Sequence, residues 1–187
     1  MAPGRLERAP LAGCVAAAAV VAMLAAARAV AGPPPAPDGV SLAAVSLPHP
    51  FREFRPRVSG RLPVELKRGL EGGWALALDR LEHRPECRGL FHALGADGAR
   101  TMRASIYYRP ASTYLPEGSC RGTAALIRVG SPATVLCPGF GRLNPSAAAA
   151  VLIHEALHHA GLEECPPTPG ALTSPEITRL VLERCGL

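Results

Sequence analysis

From Leu62 to Arg84 apolar residues return every three to four positions, which places Leu70, Trp74, Leu78 and Leu81 on one face of a helix. Gly72-Gly73 interrupts this stretch and predicts a break into two pieces. Cys87 to Leu94 predicts a further short helix, closed by Gly95 and the turn Ala96-Asp97-Gly98. The period then changes. Ala104 to Tyr108 and Ala124 to Val129 are β-rich, and Ala133 to Cys137 follows the second across Gly130-Ser131-Pro132, the pattern of an antiparallel pair. Asn144-Pro145 opens a helix: Asn caps free amides, and Pro at the first helical position lacks an amide that would go unsatisfied anyway. This helix is expected to run to about Ala160, where Gly161 supplies a left-handed residue to end it. A last helix opens at Ser174-Pro175, turns Ile177, Leu180 and Val181 inward and ends near Arg184. The pattern predicts an α+β domain: N-terminal helices, a small antiparallel sheet beside the Asn144 helix, and a C-terminal helix.

The first 60 residues follow other rules. Arg5 and Arg8 precede an almost unbroken run of Ala, Val, Leu and Met from Leu11 to Ala27, and Ala29-Val30-Ala31 offers the small residues that signal peptidase reads. Residues 1–31 are therefore expected to be a signal peptide, cut between Ala31 and Gly32, with the mature protein secreted or periplasmic. The run is shorter than the roughly 20 residues of a spanning helix and rich in weakly apolar Ala, so no stable membrane insertion is expected after cleavage. Leu11-Ala12-Gly13-Cys14 resembles a lipobox, but it opens the apolar stretch instead of following it, so Cys14 leaves with the signal. Residues 32–60 begin with Gly32-Pro33-Pro34-Pro35-Ala36-Pro37 and read as an irregular leader, a tether or a short pro-segment. Residues 61–187 form the one domain for which the chain has room.

Loss of Arg5, Glu7, Arg8 and Arg28 lowers the formal charge of +5 to a mild positive excess. The basic residues are scattered singly, without the stripe interleaved with aromatics that tracks a nucleic-acid backbone, so no nucleic-acid partner is expected. Cys87, Cys120, Cys137, Cys165 and Cys185 remain, with no C-x-x-C pair among them. In an oxidising compartment they read as disulfide partners. Cys120 with Cys137, across the hairpin, is the expected first bridge, and a second ties down Cys185. The odd count leaves one thiol over.

His154-Glu155-Ala156-Leu157-His158 matches H-E-x-x-H inside the Asn144 helix. Positions i and i+4 share a face, so both imidazoles can reach one ion. Tetrahedral zinc accepts two such nitrogens, while Glu155 on the neighbouring flank reaches a metal-activated water as general base. Five residues recur by chance in unrelated helices, so context matters: Val151-Leu152-Ile153 precedes the motif, no Pro interrupts it, and the helix is capped at both ends. The competing reading makes His154, Glu155 and His158 a solvated polar stripe on a core helix. His159 fits neither the ligand nor the base position and is assigned to the surface or to support of the ligands.

With these residues the chain resembles the zincin metallopeptidases, in particular small secreted bacterial proteins with H-E-x-L-H-x-x-G-L near the C-terminus. Only His154 to Leu162 carries the resemblance specifically. It implies a zinc-dependent peptidase acting on a peptide or protein substrate, a monomer, with a zincin-like catalytic domain over 61–187. Two carboxylates compete as third ligand. Metzincins continue to a third His, where this chain has Glu164 three residues after Gly161, but they also carry a Met-turn, and no Met follows Met102. Gluzincins draw a Glu from the next helix, and Glu176 resembles that arrangement. The short reach from His158 favours Glu164. Tyr107, Tyr108, Tyr114, Arg109 and His159 are candidate oxyanion donors that the sequence does not separate. The alternative from another class is a secreted, disulfide-stapled binding or structural module with a zincin shape and no peptidase activity.

Overall fold

The structure is a computed structural model and describes residues 16–17, 55–110, 115, 118–164 and 171–187. The first helix, α1, spans Val64–His83. Leu66, Leu70, Trp74, Ala77, Leu78 and Leu81 are buried along one of its faces, as their spacing predicts. The expected break at Gly72-Gly73 does not occur, because packing favours a continuous helix there. A Cβ at Gly73 would lie 2.6 Å from Ala148 Cβ, so the glycine lets α1 cross directly against the helix that carries the motif. Glycine costs about 1 kcal/mol against alanine inside a helix. Forcing an extra methyl into a closed contact costs about 1–3 kcal/mol.

Helix α2, Pro85–His92, follows at once with Pro85 in its first turn. The turn expected at Ala96-Asp97-Gly98 is corrected, since Gly98–Ala104 forms a helix, α3, and the strand expected from Ala104 begins at Ile106 and runs to Tyr108. Asp97 acts there as an N-cap, its side chain accepting from Arg100 N at 2.9 Å, and not as a turn residue.

The strands are β1 (Ala16–Ala17), β2 (Arg57–Val58), β3 (Ile106–Tyr108), β4 (Ala125–Ile127) and β5 (Ala133–Leu136), in the spatial order β1-β4-β5-β3-β2. The hairpin reading holds, since β4 and β5 pair antiparallel with Leu126 opposite Val135. The expectation of an antiparallel sheet is corrected to a mixed one. Strand β3 runs parallel to β5, with Tyr107 opposite Thr134, and β2 runs parallel to β3. The chain leaving β3 passes β5's place in the sheet before turning into β4, so β5 returns between them in the direction of β3. Strand β2 also shows that the segment 32–60, read as irregular, contributes an edge strand. All three residues of β4 are buried, because both faces of that strand are covered.

The motif helix α4, Pro145–His159, begins as its sequence predicts, with Asn144 Oδ1 accepting from Ala147 N at 2.8 Å. Every residue from Ala147 to His158 is buried. Four consecutive alanines let α1, α3, α5 and β4 close around it. Helix α5 spans Ser174–Cys185, with Thr173 as its cap in place of Ser174. Two disulfides staple the fold: Cys120–Cys137 beside the hairpin and Cys87–Cys185 between α2 and the end of α5. Cys165, the proposed signal cleavage site, Cys14 and Tyr114 lie outside the described residues. No helix among the described residues is long and apolar enough to cross a membrane.

Candidate metal centre

The end of α4 positions the site. Leu162 N donates to Leu157 O at 3.0 Å and Gly161 N to His158 O at 3.0 Å, the paired bonds of a Schellman ending, with φ +102° at Gly161. Only glycine adopts that backbone without strain. The turn reverses the chain within three residues of His158. The hairpin secures it from the other side, where Gly130 N donates to the same His158 carbonyl at 2.9 Å.

This reversal returns Glu164 to the motif face. His158 Nε2 lies 3.0 Å from His154 Nε2 and 2.9 Å from Glu164 Oε2, and His154 Nε2 is 3.5 Å from the same oxygen. The three residues thus offer donor atoms within 4.8 Å of one another, a set able to hold a metal ion. At the usual zinc–ligand distance of about 2.0–2.1 Å, the edges of a tetrahedron are about 3.3–3.4 Å. The observed separations bracket that length, and two imidazoles with one carboxylate suit a borderline ion such as zinc.

The outward nitrogens are held as well. His158 Nδ1 donates to Leu162 O at 2.6 Å, and His154 Nδ1 faces Thr178 Oγ1 at 3.1 Å. A carbonyl only accepts, so Nδ1 of His158 carries a proton, and Nε2 becomes a ligand once it gives up its own. Ser174, one turn before Thr178, has a buried hydroxyl that stops short of a full hydrogen bond but still favours a charged Glu164. Sequence reasoning missed both hydroxyls. Their signal was two polar residues, i and i+4, on the buried face of α5 beside Ile177 and Val181.

The electrostatics follow from burial. Burial holds His154 below the usual histidine range. It opposes the charge on His158 too, but Glu164, the Leu162 carbonyl and Glu155 outweigh it and raise His158. Glu164 feels the same burial, yet its histidine partners hold it down at about 2. Without a metal, these directions favour a charged Glu164 and a neutral His154, with His158 donating from Nδ1 to Leu162 O and from Nε2 to Glu164.

Glu155 differs from all of these. It is 1% exposed, both carboxylate oxygens are buried without a hydrogen-bond partner among the described residues, and burial pushes it up to about 8. With His154 and His158 at 0% exposure, the reading of a solvated polar stripe is excluded.

Glu176 is not brought to the site. Its carboxylate accepts from Thr173 N at 2.8 Å and from Thr173 Oγ1 at 2.7 Å, closing a capping box on the exposed start of α5. His159 turns away, its Nδ1 lying 3.1 Å from Ser105 Oγ. Among the candidate oxyanion donors, Tyr107 is buried in the sheet, Tyr108 is half-buried and Arg109 is exposed. Compared with protein-family models, curated proteins and solved structures, the chain matches none.

Proposed function

We propose that the protein is a zinc-dependent peptidase, with His154, His158 and Glu164 as metal ligands and Glu155 as general base. One observation carries the reading: three metal-binding donor atoms converge beside a buried carboxylate whose oxygens have no partner among the described residues. An unpaired buried polar group costs about 1–3 kcal/mol, so a site that keeps one has a use for it. Zinc held there supplies a Lewis acid that lowers the pKa of a water to about 7 and polarises a carbonyl. The protein's part is orientation and proton transfer. His154 and His158 present their Nε2 atoms from one helix face, and Glu164 closes the set from the following turn. With a dication held by His154, His158 and Glu164, Glu155 would favour its carboxylate form against the burial that raises it. Glu155 then takes the proton of the attacking water and returns it to the leaving amine.

Glu155→Gln tests this. The variant keeps its zinc and loses about 10²–10⁴-fold in turnover of casein or a peptide library. Undiminished cleavage by Glu155→Gln removes the general-base assignment, and a wild-type protein purified without chelators and free of zinc removes the metal centre.

The same burial gives a second reading its support. Side-chain exposures of 0% for both histidines and 10% for Glu164 also suit a structural ion that staples a binding module. Wild-type protein that holds one zinc, cleaves no peptide, and melts far lower after zinc removal decides for that reading.

A further inference from the structure

We propose that Thr178 is a positioning residue of this centre, its hydroxyl fixing which nitrogen of His154 faces the ion; this rests on His154 being a ligand. A neutral imidazole carries one N–H, and either nitrogen can hold it. If the proton sits on Nε2, the lone pair that must bind the metal is blocked. His154 is fully buried, so water cannot make the choice. Its Nε2 faces a carboxylate oxygen that can only accept, Glu164 Oε2 at 3.5 Å. Left to that carboxylate, the ring is drawn into the tautomer that cannot bind.

Thr178 Oγ1, 3.1 Å from Nδ1, supplies the opposing acceptor. A threonine hydroxyl in a helix can direct its own proton to a carbonyl of the preceding turn, which leaves its lone pairs for the ring. The two ligand histidines are therefore set by different devices. For His158 it is the Leu162 main-chain carbonyl, which no side-chain substitution removes. For His154 it is one side chain from α5, the helix whose far end is held by Cys87–Cys185. The C-terminal helix thus enters the metal centre without contributing a ligand.

The test compares Thr178→Val, which keeps the shape and loses the hydroxyl, with Thr178→Ser, which keeps the hydroxyl. Zinc affinity is read by competition with a chromophoric chelator, and the His154 ring tautomer of the metal-free protein by imidazole ¹⁵N shifts. Removing a group that orients a metal-binding histidine weakens affinity about 10–100-fold. Thr178→Val is expected to fall in that range and to shift the ring toward the Nε2–H form, while Thr178→Ser stays near wild type on both readouts. Thr178→Ala repeats the loss of the hydroxyl should the valine variant fail to fold. Wild-type zinc affinity in a folded Val or Ala variant overturns the role of Thr178 alone. A wild-type protein that takes up no zinc overturns the ligand assignment and this proposal with it.

Discussion

Glu155 and Glu164 sit nine residues apart and titrate in opposite directions because one is buried alone and the other is buried among histidines. In the metal-free protein Glu155 has a folded pKa near 8 against 4.5 for an ordinary glutamate. The stability it contributes is fully present below 4.5 and is lost as the pH rises through about 8. Glu155→Gln removes that titration, so denaturant melts of the metal-free proteins should match at pH 4 and diverge at pH 8. The Gln variant should then be the more stable, by on the order of a few kcal/mol. Equal melts at pH 8 would show that Glu155 is solvated. For the third ligand, Glu164→Ala should weaken zinc at least ten-fold, because two imidazoles alone hold the ion poorly. Glu176→Ala should leave zinc affinity unchanged and lower the melting temperature slightly through loss of the capping box. Side-by-side chelator competition separates them, and the reverse order would restore Glu176.

At the level of elements, the centre depends on how closely α1 and α5 approach α4. Gly73→Ala places a methyl 2.6 Å from Ala148 Cβ, against a helix with no free side. The expected cost is about 1–3 kcal/mol in a urea melt, despite the better helix propensity of alanine. A more stable Gly73→Ala protein would mean that the two helices do not meet there. The sequence read α1 correctly as an amphipathic helix from Leu70, Trp74, Leu78 and Leu81, but not its continuity, since glycine marks a break and a close crossing with the same letter. Likewise Asp97-Gly98 serves equally as a turn or as a helix start. The cap of α3 was settled by Gly98 fitting beneath Phe91 and Leu81, residues well before it in the chain.

Across the molecule, Cys87–Cys185 closes a span of 98 residues and ties the helix carrying Thr178 back to α2. Replacing both cysteines by Ala should lower stability by about 2–5 kcal/mol and weaken zinc binding in parallel, as α5 loosens from the centre. Thermal melts with and without zinc, on the same variant, read the two effects together. If zinc affinity stays at the wild-type value while the melting temperature drops, the disulfide supports the fold alone.

Elements whose pattern is local were legible from the chain itself. The caps of α4, the β4–β5 hairpin, the His154 and His158 pair and the Gly161 turn all rest on neighbours within a few residues, where covalent geometry leaves few choices. Glu164 was legible for the same reason, being six residues from His158. The parallel placement of β3 beside β5, the pairing of Cys87 with Cys185, the unbroken α1 and the contact of Thr178 with His154 depend on which distant surfaces meet. Such contacts are chosen by the burial of whole faces against one another, a property of the folded chain that no short stretch of sequence contains.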